Sequence, residues 1–236
     1  MNIPGNYEQH VSITKELKMS DSFYEVREPH KEGFEEIYNE AKEKGIEIST
    51  AKDFLNSLTE DELSTLQHYT LLVDDINVSK LDDEGAYNLL LHHYEKYDFN
   101  EDGLISNGIA KSMSLLPVNM PSDEKEVLVE TLNGMDEKER FLTLLMINPP
   151  QFQLMDDGTI MAKENDNYMN YQTISNRIQR ILNPLPGEYS SPEIQNTLSK
   201  FLDIYSKNLE QKKEQEEYIK KQNEDSAQLT KAKIYQ

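Results

Sequence analysis

Five residues stand out for chemistry they could share: Asp98, Asn100, Asp102, Leu104 and Ser106. They are spaced two apart in the stretch Asp98-Phe99-Asn100-Glu101-Asp102-Gly103-Leu104-Ile105-Ser106. Carboxylate, amide, carbonyl and hydroxyl oxygens are hard donors, and a hard cation such as Ca2+ gathers about six to eight of them. Alternate positions of a tight loop can turn their oxygens toward one point if the chain bends sharply between them. Gly103 supplies the bend, because glycine enters backbone regions closed to other residues. The surroundings are charged to match. Residues 51–102 hold 13 acidic and 3 basic side chains, a net of −10, which is half of the chain's formal −20. Such a region attracts cations.

Over these nine consecutive positions the chain resembles the calcium loop of EF-hand proteins. The resemblance implies that Asp98, Asn100 and Asp102 are ligands at positions one, three and five, with Gly103 as the turn at six. It also implies that Leu104 offers its backbone carbonyl at seven, that Ile105 is the apolar eighth residue, and that Ser106 binds directly or holds a water at nine. Leu90, Tyr94 and Tyr97 lie along one side of a helix expected over residues 82–97, which would enter the loop. The departure is at position twelve, where Ile109 replaces the bidentate Glu, and residues 107–111 contain no acid. Two ligand oxygens are therefore missing, and weak Ca2+ binding is expected. A neighbouring run from Asp75 through Asn77 and Ser79 has Lys80 where Gly is needed and Ala86 at position twelve, so it is not counted as a site.

No catalytic constellation competes with this loop. His92, His93, Glu95 and Asp98 lack the H-E-x-x-H spacing, and adjacent residues of a helix point in different directions, so they read as helix surface. There is no G-x-S-x-G elbow and no glycine-rich phosphate loop. The chain of 236 residues contains no Cys, which excludes disulfides, thiolate zinc ligands and a Cys nucleophile. A net charge of −20 without a basic stripe argues against nucleic acid as a partner. The same charge opposes anionic membranes, and the longest apolar run, residues 141–147, is far short of the roughly 20 residues of a membrane span. The first residues lack the features of a secretory signal. Cytoplasmic residence is expected, with export without a classical signal peptide as the alternative.

The elements that must position the loop are mainly helical. Residues 1–29 show no clear periodicity and read as a loosely ordered leader. Residues 31–44 carry a helical stripe of Phe34, Ile37, Tyr38 and Ala41 before Gly45. Ser49 or Thr50 can cap a short helix to Leu58, and Thr59 with Glu62 forms a capping box for the next. Further helices are expected over 122–133 and 136–147, so that residues 30–147 form one helical domain. After Pro149 and Pro150 the pattern alternates at Phe152, Leu154, Ile160 and Ala162 about Asp157-Gly158, which predicts one β-hairpin. A helix carrying Ile174, Ile178, Ile181 and Leu182 follows. A long helix then begins at Pro192 with a stripe from Ile194 to Leu209, ending a second segment over 148–222, and 223–236 reads as a flexible tail. The fold expected is thus mainly α, an irregular helical array with one small β-hairpin and a long C-terminal helix.

The function expected from these features is that of a non-catalytic protein-interaction or regulatory protein, with weak Ca2+ binding at residues 98–109. Its partner would be another protein, and the long C-terminal helix offers a route to self-association. The alternative is a bacterial-type exported effector or export partner that lacks a cleaved signal peptide.

Overall fold

The helical stripes seen in the sequence are the faces that pack. In the computed structural model, which describes residues 6–147, 152–154, 160–162, 169–185 and 190–234, the chain is mainly helical. Its helices are α1 (Tyr7–Thr14), α2 (Asp21–Glu25), α3 (Lys31–Glu43), α4 (Ala51–Ser57), α5 (Glu60–Thr70), α6 (Asp83–Leu89), α7 (Ser122–Asn133), α8 (Glu137–Ile147), α9 (Tyr171–Leu182) and α10 (Pro192–Ile234). All four stripe residues of α3 are buried, and Gly45 takes a φ of +62° just beyond its end, a conformation that suits glycine. The Thr59–Glu62 capping box forms at the start of α5 in both directions. No helix among the described residues is long and apolar enough to cross a membrane.

Two main cores result. In the first, Phe34, Ile37 and Ala41 of α3 meet Phe54 and Leu55 of α4, Leu66 of α5, and Ala86 and Leu89 of α6. In the second, Leu128 and Leu132 of α7 meet Ile174 and Ile178 of α9 and Leu198, Phe201 and Tyr205 of α10. Each buried Leu, Ile or Phe side chain among these contributes roughly 1.5–3 kcal/mol. The proline break at 148–150 therefore does not divide the packing. Helices α7 and α8 belong with α9 and α10, because their apolar stripes face that side.

Of the segment expected to be a loose leader, residues 6–29 are folded. Ile13 and Leu17, four apart, sink into the second core, and His10 of α1 is buried beside them. At the other end, the expected tail continues α10 as helix to Ile234.

Among the described residues, two short antiparallel ribbons complete the architecture. The expected hairpin pairs β3 (Phe152–Leu154) with β4 (Ile160–Ala162), Phe152 opposite Ala162; its turn lies outside the described residues. A second ribbon, not foreseen, pairs β1 (Ile105–Asn107) with β2 (Ala110–Ser112) across a turn containing Gly108, whose φ is +62°.

The helix expected over 82–97 is also corrected: it stops at Leu89. Asn88 is the reason. Its amide donates to the carbonyls of Tyr97 and Ser106 at 3.0 and 2.7 Å, and its oxygen accepts from the Tyr97 N–H. A buried polar side chain that pairs with distant backbone competes with helix continuation, and the chain folds back over residues 90–97.

Candidate functional site

The short helix α6, the fold-back after it and the β1–β2 ribbon together hold the 98–106 loop. Asp82 caps α6 by accepting from the Gly85 N–H at 2.5 Å. The Gly85 carbonyl in turn accepts from the Gly108 N–H at 3.0 Å, tying the ribbon's turn to the helix. Only glycine suits position 85, because a Cβ there would press into the Gly108 carbonyl oxygen.

Inside the loop the acidic side chains organise the backbone. The Asp98 carboxylate accepts from the N–H groups of Asp102 at 3.1 Å and Gly103 at 2.8 Å. Asn100 Oδ1 accepts from Asp102 N–H at 2.8 Å, and Asp102 Oδ1 accepts from Leu104 N–H at 2.9 Å. Gly103, with φ of +87°, makes the sharp bend assigned to it, and Glu101 also takes a left-handed conformation at φ of +60°. Burial pushes the Asp98 carboxyl above its ordinary pKa, and the N–H bonds from Gly103 and Asp102 oppose that rise.

Glu84 of α6 is the residue that sequence reasoning missed. Only 3% exposed, its carboxylate reaches from the helix to the loop and accepts from Ser106 N–H at 2.7 Å and Asn100 N–H at 3.0 Å. Its pKa is raised, with burial as the largest cause and the backbone hydrogen bonds working against it. The available signal was a polar pair one turn apart, Glu84 and Asn88, on the short helix α6.

Not every residue of the expected ligand set faces the same way. Asp98, Asn100 and Asp102 share the loop's turn. Ser106, 1% exposed, donates its hydroxyl to Asp82 Oδ2 at 3.0 Å, on the side of α6. Ile109 lies 54% exposed in the ribbon's turn, where an EF-hand would place its twelfth ligand, and strand β2 follows where that motif would begin its exiting helix. The Lys111 ammonium from β2 stands 3.1 Å from Asp102 Oδ2, a cation already supplied by the chain. Among the described residues no group of three or more His, Asp or Glu side chains converges as a metal cluster would.

His92, His93 and Glu95 lie on the fold-back rather than on a helix surface. Glu95, 9% exposed, accepts from the Tyr38 hydroxyl at 2.8 Å and the His92 N–H at 3.1 Å, with the Lys42 ammonium at 3.4 Å. His92 packs its ring against Phe34, Tyr38 and Tyr94. His93 stacks edge-on to Phe23 and is pushed down to about 4, first by burial and then by Arg27. These groups are engaged in packing and hydrogen bonds within the body.

No protein-family model, curated protein or solved structure matches the chain.

Proposed function

We propose that the chain is a non-catalytic protein-interaction or regulatory protein in which residues 98–109 take up Ca2+ weakly. The observation that supports this reading is the loop's turn geometry. Three side-chain oxygens at alternate positions are held by hydrogen bonds to successive backbone N–H groups, in the most acidic part of the chain. Asp98, Asn100 and Asp102 would supply side-chain oxygens and Leu104 its carbonyl, while Ser106 would first have to release Asp82. With no acid at position twelve and Lys111 beside Asp102, the affinity expected is on the order of 10⁻⁴ M or weaker. A protein partner has an apolar surface to meet on α8, where Phe141 and Leu145, one turn apart, are 56% and 39% exposed.

The test is calorimetric titration of the EDTA-stripped protein with Ca2+ and then Mg2+, beside an Asp98→Ala, Asp102→Ala variant. Saturable Ca2+ heat that disappears in the variant is the expected result. No heat with the native chain up to millimolar Ca2+ would reduce the loop to a structural turn and withdraw the calcium part of the proposal.

A further inference from the structure

Helix α10 outruns the body it packs on. Its 43 residues span about 64 Å at ~1.5 Å per residue. Leu198, Phe201, Tyr205 and Leu209 are buried, and Lys212 still reaches Glu126 of α7 at 2.5 Å. From Lys213 to Glu224 every residue is exposed, Tyr218 at 63% and Ile219 at 55%. Most of a helix's stability in proteins comes from packing an apolar face, and this stretch packs none of its own.

The exposed stretch has an ordered charge pattern. Gln215, Tyr218, Ile219 and Gln222 form one stripe at spacings of three and four. Glu214, Glu216 and Glu217 come before the Tyr218-Ile219 centre, and Lys220 and Lys221 after it. At 100° per residue, Glu214 and Lys221 lie on one flank of the stripe and Glu216 on the other, while Glu217 and Lys220 lie toward the far face. These four charges, Glu216, Glu217, Lys220 and Lys221, form no ion pair with one another among the described residues. Three lysines against four glutamates leave residues 213–224 nearly neutral in a chain of net charge −20.

We infer that a second copy of this chain covers the stripe, antiparallel, about a two-fold axis between Tyr218 and Ile219. In that arrangement like flanks meet. Glu214 of one copy then faces Lys221 of the other, and the pair is repeated by symmetry. A parallel, in-register pair would set Glu214 of one copy against Glu216 of the other, so the pattern chooses the orientation. Tyr218 and Ile219 meet at the centre, where their apolar area leaves water. The axis lies about 10 Å beyond Lys212 at ~1.5 Å per residue, which holds the two acidic bodies well over a Debye length apart. The interface is small, so association is weak and salt-sensitive.

The test is sedimentation equilibrium of the full chain at low and high salt, with two charge-reversed variants. One carries Lys220→Glu and Lys221→Glu; the other carries Glu214→Lys, Glu216→Lys and Glu217→Lys. The native chain should dimerise, and each variant alone should associate at least about tenfold more weakly. The two variants mixed should recover association, which a mere loss of helix would not allow. Orientation is read with single cysteines, since the chain has none of its own: Gln215→Cys mixed with Gln222→Cys should give chiefly the mixed disulfide. A native chain that stays monomeric, variants that dimerise as well as the native chain, or homodisulfides in place of the mixed one would each overturn the inference.

Discussion

Lowering the pH should unfold this protein earlier than its carboxylates alone would require, and His10 is the reason. The residue sits on α1, 3% exposed, with its ring edge-on to Tyr97 at 5.4 Å between centroids. Its Nδ1 lies 3.2 Å from the ammonium of Lys125, itself 3% exposed and also bonded to the Val118 carbonyl at 3.1 Å. A neutral imidazole can accept from that ammonium; a protonated one cannot, and would set two buried cations side by side. Burial, and then the Lys125 charge, push His10 from 6.5 down to about 4. The folded pKa is thus below the unfolded one. The associated stability is fully present above pH 6.5 and is lost as the pH falls through 6.5 toward 4, because only the unfolded chain takes up the proton there.

At ~1.4 kcal/mol per pH unit, the whole fall is worth about 3 kcal/mol, of which about 2 kcal/mol is gone by pH 5. Urea unfolding at pH 7.5 and pH 5 measures it. His93, also held to about 4, adds its own share to the native chain, so the comparison that isolates His10 is with His10→Gln. That variant keeps an acceptor without a titrating ring. It should be less stable at pH 7.5 but lose about 2 kcal/mol less than the native chain on going to pH 5. Equal losses in the two proteins, or a folded-state NMR titration of His10 near 6.5, would refute the reasoning.

Two further outcomes follow from the loop. Glu84→Ala strands the N–H groups of Asn100 and Ser106 in a buried place and should destabilise by roughly 2–5 kcal/mol, whereas Glu84→Gln keeps one acceptor and should lose about half of that; urea midpoints compare them. Lys111→Met removes the ammonium beside Asp102. Because that pair is solvent-exposed, its removal should tighten Ca2+ binding only about two- to fivefold by calorimetry, and unchanged or weaker binding would mean that Lys111 does not compete with the cation.

What could be read from the sequence divides along a physical line. Patterns that act over short stretches of chain survived folding: the α3 stripe, the Thr59–Glu62 box, the Pro192 start of α10 and the pairing of residues 152–154 with 160–162. Patterns settled by distant partners did not. The helix expected through Tyr97 carried a good apolar side, yet Asn88 found three backbone partners 9 and 18 residues away, and these outweighed propensity. Likewise α1 has too weak a stripe to announce itself, and it is helical because Ile13 and Leu17 find a core built by residues more than a hundred positions later.

The loop shows both kinds of rule in one place. The bend at Gly103 was legible, and the Asp98, Asn100 and Asp102 side chains, expected as ligands, are bonded to backbone N–H groups within five residues. The clamp that holds the loop to the body was not, because Glu84 precedes it by an intervening helix end and fold-back. The same distinction explains how the loop keeps its shape without a helix directly at either end. The turns are made by its own side chains and N–H groups, whereas its attachment here is made by a buried carboxylate on one side and a two-stranded ribbon on the other. A cation would therefore act on a loop already folded, and its effect on stability should be confined to residues 98–111 rather than spread through either core.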